Sequence, residues 1–160
     1  MSWLRKRSRL ALILGLCVAL PLVIGCSDDK TTAPPPDDDD PPPVTGNITG
    51  TVILTPGING DLRNARVAVY ASFDDWNNDR VLKSIGAQGT ESQVSFTITG
   101  LAPGTYYVDF WKDMDNNGFI DFGDIFGVHG TIQWPQITVA PLSVIAGQSA
   151  VASIIIIAIP

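Results

Sequence analysis

The sequence predicts an all-β domain over residues 47–160, an antiparallel Greek-key β-sandwich of about seven strands. Three observations lead to this fold class. No segment of the region shows a convincing helical period of apolar residues. Instead, short runs rich in β-branched and aromatic residues alternate apolar with polar side chains. Gly, Pro and Asn residues separate these runs at intervals of about 10–20 residues, which is typical of strands and turns in a sandwich.

The alternation identifies the strands and their buried faces. Val94, Phe96 and Ile98 lie on one face of the clearest run, and the next run alternates in the same way from Tyr106 to Phe110. The last run contains about ten apolar residues, half of the roughly 20 that span a membrane. We interpret it as a central strand buried on both faces, and the alternative is an exposed strand that is prone to aggregate. In chain order, the predicted strands are residues 48–54, 65–71, 81–85, 94–99, 105–111, 130–139 and 150–159.

Three segments of the domain carry a family resemblance. They read ITGTV at 48–52, LRNARVAV at 62–69 and FTITGLAPGTYYV at 96–108. Together they resemble the carboxypeptidase regulatory-like, or prealbumin-like (transthyretin-like), domains of bacterial surface proteins. The resemblance covers residues 47–111 and implies the sandwich fold, with a turn between two core strands at Pro103-Gly104. It implies little about function, because this fold carries many functions.

The N-terminus has the features of an export signal. Four cations stand within the first nine residues, and an apolar run of about 15 residues follows, which is short for a membrane span. Residues 22–26, LVIGC, resemble the lipobox of bacterial lipoproteins. That resemblance implies removal of residues 1–25, attachment of lipid to Cys26 and, because Ser27 follows, an outer-membrane location if the host is Gram-negative. The alternative is an ordinary signal peptide that contains a cysteine.

Residues 26–46 combine Cys26 with a low-complexity stretch rich in Pro and Asp. A segment with so few apolar residues cannot offset the entropy of ordering its chain, so we predict a disordered tether. Proline favours extended geometry and the acidic run at 37–40 repels itself, so about 19 residues reach about 60 Å from the anchor. We interpret the Asp run as a solvated part of the linker rather than as a metal site.

Removal of residues 1–25 changes the charge and the cysteine content. The full chain has 10 Lys and Arg and 16 Asp and Glu, and the removed segment has four cations and no acids, so the mature chain carries 6 cations, 16 acids and a net charge of −10. We therefore expect no nucleic-acid partner, whereas cations are favoured. Cys17 leaves with the signal and Cys26 carries lipid, so the mature domain has no disulfide and depends on its core or on a metal for stability.

The segment DMDNNGFIDFGD, residues 113–124, has the ligand pattern of a calcium loop. Polar side chains stand at loop positions 1, 3, 5, 9 and 12, and Gly118 at position 6 permits a sharp bend. Ile120 at position 8 is predicted to insert into the core. Calcium takes six to eight oxygen ligands, which this loop and water supply. The predicted ligands are Asp113, Asp115, Asn117, Phe119 through its backbone carbonyl, Asp121 and Asp124.

Two features distinguish this loop from an EF-hand. Position 12 is Asp124 rather than Glu, so a bidentate ligand requires a tighter loop, and the flanks are strand and irregular chain rather than helices. We expect an affinity of the extracellular kind, about 10⁻⁴ to 10⁻³ M. The alternative is a polar turn without metal, since Asp and Asn are common turn residues. A second polar stretch, residues 74–79, either is plain loop or lends a ligand to the same ion.

The mature sequence contains no catalytic motif, so we expect no enzyme. It has a single histidine, His129, and a single glutamate, and no nucleophile elbow, zinc-protease motif or phosphate loop is present. We interpret His129, between two glycines, as a loop residue. Trp76, Trp111 and Trp134 are interpreted as core residues, and the alternative is an exposed aromatic platform for sugar rings.

These features together predict a lipoprotein of the bacterial cell envelope. It is anchored in the membrane through Cys26 and displays a calcium-stabilised β-sandwich in a structural or adhesive role. The alternative is a carbohydrate- or peptide-binding module, whose partner is a glycan or an envelope protein.

Overall fold

The computed structural model of the protein describes residues 42–160. The predicted signal peptide, Cys26 and the tether up to residue 41 lie outside the described residues, so the interpretations of these segments stay predictions. Within the described part, no helix is long and apolar enough to cross a membrane.

The described residues form eleven β-strands and one short helix, so the chain is all-β as the sequence predicts. The count exceeds the seven predicted by four, because β4 and β9 are additional short strands and the predicted strands 130–139 and 150–159 each correspond to two strands. The elements are β1 Gly46–Ile53, β2 Arg66–Tyr70, α1 Phe73–Asn77, β3 Lys83–Gly86, β4 Gln88–Gly89, β5 Gln93–Leu101, β6 Gly104–Lys112, β7 Ile125–Gln133, β8 Gln136–Val139, β9 Leu142–Val144, β10 Ser149–Val151 and β11 Ile154–Ala158.

The strands build two sheets that pack as a sandwich. One sheet has four strands in the order β10-β1-β5-β4, and the other has the order β11-β7-β6-β2-β3, with β8 paired to β7 and β9 paired to β6. Every pairing is antiparallel except that of β1 with β10. The chain passes between the sheets at Ala87 and at Ala152, whose small side chains are buried at these crossings.

The main core lies between the two sheets and follows from the alternation in the sequence. Ile48 on β1 and Phe96 on β5 face inward from the four-stranded sheet. They belong to one buried cluster with Val67, Val108 and Phe110 from the larger sheet. Residues two apart point to the same side of a strand, so each strand contributes its apolar set to this core and its polar set to the outer face.

A second cluster covers the outer face of the larger sheet, where the alternate residues of β2, β6 and β7 point. Trp76 of α1, Ile120 of the β6–β7 loop and Val139 of β8 cover this face. The central strands are therefore covered on both sides, which explains the continuous buried run in β2. We call the buried set the outer cluster: Ala68, Tyr70, Trp76, Ile120, Phe126, Val128, Val139 and Ile159.

Two predicted strands are wrong in detail. The run at 130–139 is the end of β7 and the whole of β8, joined by a hairpin at Trp134-Pro135. The run at 150–159 is two strands in different sheets, because the chain crosses the sandwich between β10 and β11. The isoleucine run is therefore not a central strand: β11 is an edge strand, and Ile155 is 46% exposed.

The burial of the core predicts a large difference between two phenylalanines. Phe110→Ala should lower the free energy of unfolding by about 3–5 kcal/mol, because Phe110 is fully buried and its loss leaves a cavity. Phe122→Ala is the matched control, since that side chain is 81% exposed. It should change the free energy of unfolding by about 0.5 kcal/mol at most. Urea denaturation followed by circular dichroism measures both. Equal losses would contradict the packing described here.

Candidate metal site

The twelve residues 113–124 connect β6 to β7, two neighbouring strands of the larger sheet. Backbone φ is positive at Asn116, 61°, and at Gly118, 79°, so the chain reverses sharply as predicted for position 6. Ile120 is buried in the outer cluster, also as predicted. The loop is thus held at its middle by an apolar side chain and at both ends by strands.

Three of the predicted ligands come together in this loop. Asp113, Asp115 and Asp124 each offer a carboxylate oxygen, and these oxygens lie within 4.8 Å of one another. Two oxygens bound to one calcium ion at 2.3–2.6 Å lie at most about 5 Å apart. The three oxygens are therefore spaced as ligands of a single cation of this size.

The loop backbone folds around the same carboxylates. The N–H of Gly118 donates to Asp113 Oδ2 at 2.8 Å, and the N–H of Asn117 donates to Asp113 Oδ1 at 3.2 Å and to Asp115 Oδ1 at 3.1 Å. These bonds fix each carboxylate relative to the turn at Asn116 and Gly118. The turn therefore positions the first two predicted ligands without any side chain from elsewhere in the chain.

The other predicted ligands are placed less directly. Asn117 Nδ2 donates to Asp115 Oδ2 at 2.7 Å and to Asp121 Oδ2 at 2.9 Å, so its amide joins two carboxylates. Asp121 is next to the group but outside the three whose oxygens come within 4.8 Å. Phe119 is predicted to act through its backbone carbonyl, and its side chain is half exposed. The roles of these three residues stay predictions.

Asp124 differs from the other predicted ligands because it is only 1% exposed. Its Oδ2 accepts a hydrogen bond from Trp111 Nε1 at 2.9 Å, and its Oδ1 accepts one from the N–H of Met114 at 2.8 Å. Trp111 is held in turn by the Arg66 guanidinium, which lies 5.4 Å from the centre of its ring. The residue at loop position 12, Asp124, is thus held by side chains of the larger sheet through Trp111 and Arg66.

The charges of the loop also fit a cation. Asp113, Asp115, Asp121 and Asp124 place four carboxylates in twelve residues. Among the described residues 42–160, the ion pairs involve Arg63 and Arg80, and no loop carboxylate is in one. All the side-chain donors are hard oxygens, which suit calcium or magnesium rather than the softer metals that prefer sulfur or imidazole.

The second polar stretch, residues 74–79, forms its own contacts. Arg80 pairs with Asp74 and with Asp75, the latter at 2.7 Å from its Nε. The Ser72 hydroxyl and then Arg80 hold the pKa of Asp75 below its usual value, and Ser72 also caps α1. In the described structure these carboxylates are not part of the group formed by the loop. The stretch is therefore a capped helix and turn.

One polar cluster has no counterpart in the sequence analysis. The hydroxyl of Tyr70 lies 3.0 Å from Asp109 Oδ2 and 3.2 Å from Asp79 Oδ1. Tyr70 and Asp109 are buried, and they join β2 to β6 on the face that carries the outer cluster. The sequence offers one signal for this cluster, which is the alternation that places both residues on the same face of the sheet. A polar residue on the face opposite the main core is normally interpreted as facing solvent, so the cluster is missed.

The remaining candidate residues are His129 and three tryptophans. The interpretation of His129 as a loop residue is wrong, because it lies in β7 and pairs with Ile154. Its Nδ1 lies 3.1 Å from the backbone nitrogen of Ser153, so the ring joins β7 to the chain that leads into β11. Trp76 is buried, Trp111 lies under Arg66, and only Trp134 among these three is more than a third exposed. The three indoles therefore do not form an exposed platform for sugar rings.

Comparison of the chain with models of protein families, with curated proteins and with solved structures finds no match. The resemblance to carboxypeptidase regulatory-like domains and to lipoproteins stays a prediction. The function has to be inferred from the residues of the loop themselves.

The hydrogen bond to Asp124 predicts a cost for removing its donor. Trp111→Phe should lower the free energy of unfolding by about 1.5–3 kcal/mol, because the buried carboxylate loses a charge-assisted bond. Trp134→Phe makes the same chemical change at a hairpin and should cost about 0.5 kcal/mol or less. Urea denaturation of the two variants tests this. The assignment is wrong if Trp134→Phe is the more costly change.

Proposed function

We propose that this protein is a lipid-anchored lipoprotein of the bacterial cell envelope that displays a calcium-stabilised β-sandwich. The observation that supports calcium most directly is the convergence of Asp113, Asp115 and Asp124 within 4.8 Å. The proposed role is structural or adhesive: the sandwich is presented away from the membrane on the predicted tether, and one ion keeps the twelve-residue β6–β7 loop ordered.

Calcium is favoured over magnesium by the kind of loop that holds the carboxylates. Magnesium requires near-ideal octahedral geometry and keeps several waters, whereas calcium accepts six to eight oxygens in flexible arrangements. A twelve-residue loop that supplies carboxylates at positions 1, 3 and 12 and a carbonyl at position 7 provides a larger and less regular set. The proposed ligands are Asp113, Asp115, Asn117, Phe119 through its carbonyl, Asp121 and Asp124.

The stabilisation follows from mass action. An ion that binds the folded state and not the unfolded state raises the free energy of unfolding by RT ln(1 + [L]/Kd). With the affinity expected for extracellular modules, millimolar calcium contributes about 1 kcal/mol. Repulsion among four neighbouring carboxylates opposes folding when no cation is present, so the ion also removes an unfavourable interaction. An exported domain without a disulfide gains from both effects.

The contacts of the tryptophans and of Asp124 support a structural role. Trp76 is buried in the outer cluster, and the ring of Trp111 is covered by the Arg66 guanidinium. A sugar-binding surface built from these two aromatic rings is therefore not favoured. Calcium in the loop would instead bind Asp124, whose carboxylate accepts a hydrogen bond from Trp111 at the end of β6. This arrangement is suited to holding the domain together.

The central prediction concerns thermal stability. Excess calcium should raise the melting temperature of the protein by several degrees relative to EDTA, since about 1 kcal/mol shifts the melting temperature of a domain of this size by about 4 °C. Asp113→Ala combined with Asp115→Ala should abolish the shift. Differential scanning calorimetry in calcium, in magnesium and in EDTA measures it, and magnesium should give the smaller shift.

The control for this experiment is Asp74→Ala combined with Asp75→Ala, which removes two carboxylates outside the loop. It should keep the calcium-dependent shift, although its melting temperature in EDTA is slightly lower, because the ion pairs with Arg80 and the hydrogen bond from the Ser72 hydroxyl to Asp75 are lost. A shift that survives in the loop variant, or that disappears in the control, contradicts the assignment of the loop as the calcium site.

The anchor is tested separately. Cys26→Ser should move the protein from the membrane fraction to the soluble fraction of the producing bacterium, because lipid chains are needed for stable anchoring. Mass spectrometry of the wild-type protein should show a chain that begins at Cys26 with added acyl groups. An unmodified Cys26 in a membrane-free protein contradicts the proposed anchor.

A further inference from the structure

The last two residues of the loop continue the pairing between β7 and the C-terminal strand β11. The N–H of Ile159 donates to the backbone carbonyl of Asp124 at 2.8 Å, and the N–H of Gly123 donates to the carbonyl of Ile159 at 3.0 Å. Within the strands, Ala158 pairs with Ile125, the first residue of β7. The ladder therefore extends by one residue into the candidate metal loop.

Side-chain packing reinforces this connection. Ile159 is buried in the outer cluster, and Ile120 from the middle of the loop belongs to the same cluster. The loop and the end of the last strand thus each place one apolar side chain in the same buried cluster. A disordered loop would withdraw Ile120 and the backbone partners of Ile159 at the same time.

The pairing matters because β11 is an edge strand. Among the described residues its ladder partner is β7, and at its other end the N–H of Ser153 is held by His129 Nδ1. An edge strand paired on one side has half the main-chain hydrogen bonds of a central strand, and strand ends open first in local unfolding. The C-terminal end of β11 therefore depends on the conformation of Gly123 and Asp124.

We propose that cation binding in the loop is coupled to docking of the C-terminal strand, so that calcium holds β11 in the sheet through Gly123 and Asp124. This inference rests on the proposed calcium site and names what that site controls. The ion neutralises the loop carboxylates and fixes Asp124, and Asp124 then presents its carbonyl to Ile159. Without the ion, repulsion among the carboxylates releases this end of the strand.

Coupling of this kind is reciprocal. If the ion favours the docked strand, the docked strand favours the ion by the same factor in equilibrium constant. A change at Ile159 that weakens docking should therefore weaken calcium binding, although Ile159 contributes no predicted ligand. A change of the same size on β11 that leaves docking intact should not.

Hydrogen exchange of the full-length protein tests the coupling directly. With calcium replaced by EDTA, exchange of the Ile159 amide should accelerate at least about fivefold more than exchange of the Leu54 amide. Leu54 is the matched reference, since its N–H donates at the same 2.8 Å to the carbonyl of Ser92 near the other sheet. NMR at residue resolution measures both, and calcium binding is confirmed in parallel by calorimetry.

Each other outcome overturns the coupling in a recognisable way. If calcium binds and neither amide changes, the strand is independent of the ion and the calcium site stands. If both amides accelerate equally, the ion stabilises the whole domain and β11 is not specifically controlled. If calorimetry shows no calcium binding, the proposed function fails and the coupling fails with it.

A pair of variants provides the reciprocal measurement. Ile159→Ala should weaken calcium affinity at least about fivefold, whereas Ile155→Ala, on the exposed side of the same strand, should change it by about twofold or less. Equal affinities for the two variants overturn the coupling. If Ile159→Ala does not fold by circular dichroism, the exchange experiment on the wild-type protein decides the question.

Discussion

A carboxylate removed from water has to be balanced, because an isolated buried charge is costly. In this protein the constraint falls on Asp124, which is 1% exposed and accepts hydrogen bonds from Trp111 and from the backbone of Met114. Both donors are uncharged groups, so the negative charge of the Asp124 carboxylate remains, next to the carboxylates of Asp113 and Asp115. We propose that a cation at this point balances the charges of the loop and that Asp124 transmits this effect to the strands on either side.

The larger sheet determines why one loop has so much influence. Its central strands are buried on both faces, so elements outside the sandwich proper have to cover the second face. The β6–β7 loop is one of these covering elements, through Ile120, and Ile159, which follows β11, is another. Ordering the loop, closing the outer cluster and docking the last strand are therefore linked parts of one packing arrangement.

The sequence predicts the features that depend on local pattern and misses those that depend on distant contacts. Alternation identifies β5 and β6, and the ligand spacing brings Asp113, Asp115 and Asp124 together as expected. The start of β7 is missed because Gly127 interrupts the apolar pattern. The division of 150–159 into two strands is set by the crossing between sheets, and the contacts of Asp124 with Trp111 and Ile159 arise only in the folded chain.

The central claim is that a hard cation sits against the carboxylate of Asp124, and terbium luminescence tests it most directly. Terbium has the size and oxygen preference of calcium, and the Trp111 ring, whose N–H bonds Asp124, is placed to transfer excitation energy to it. The account predicts strong emission on tryptophan excitation that calcium displaces and that Trp111→Phe largely removes. Absence of emission, or emission that neither calcium nor Trp111→Phe reduces, would contradict it.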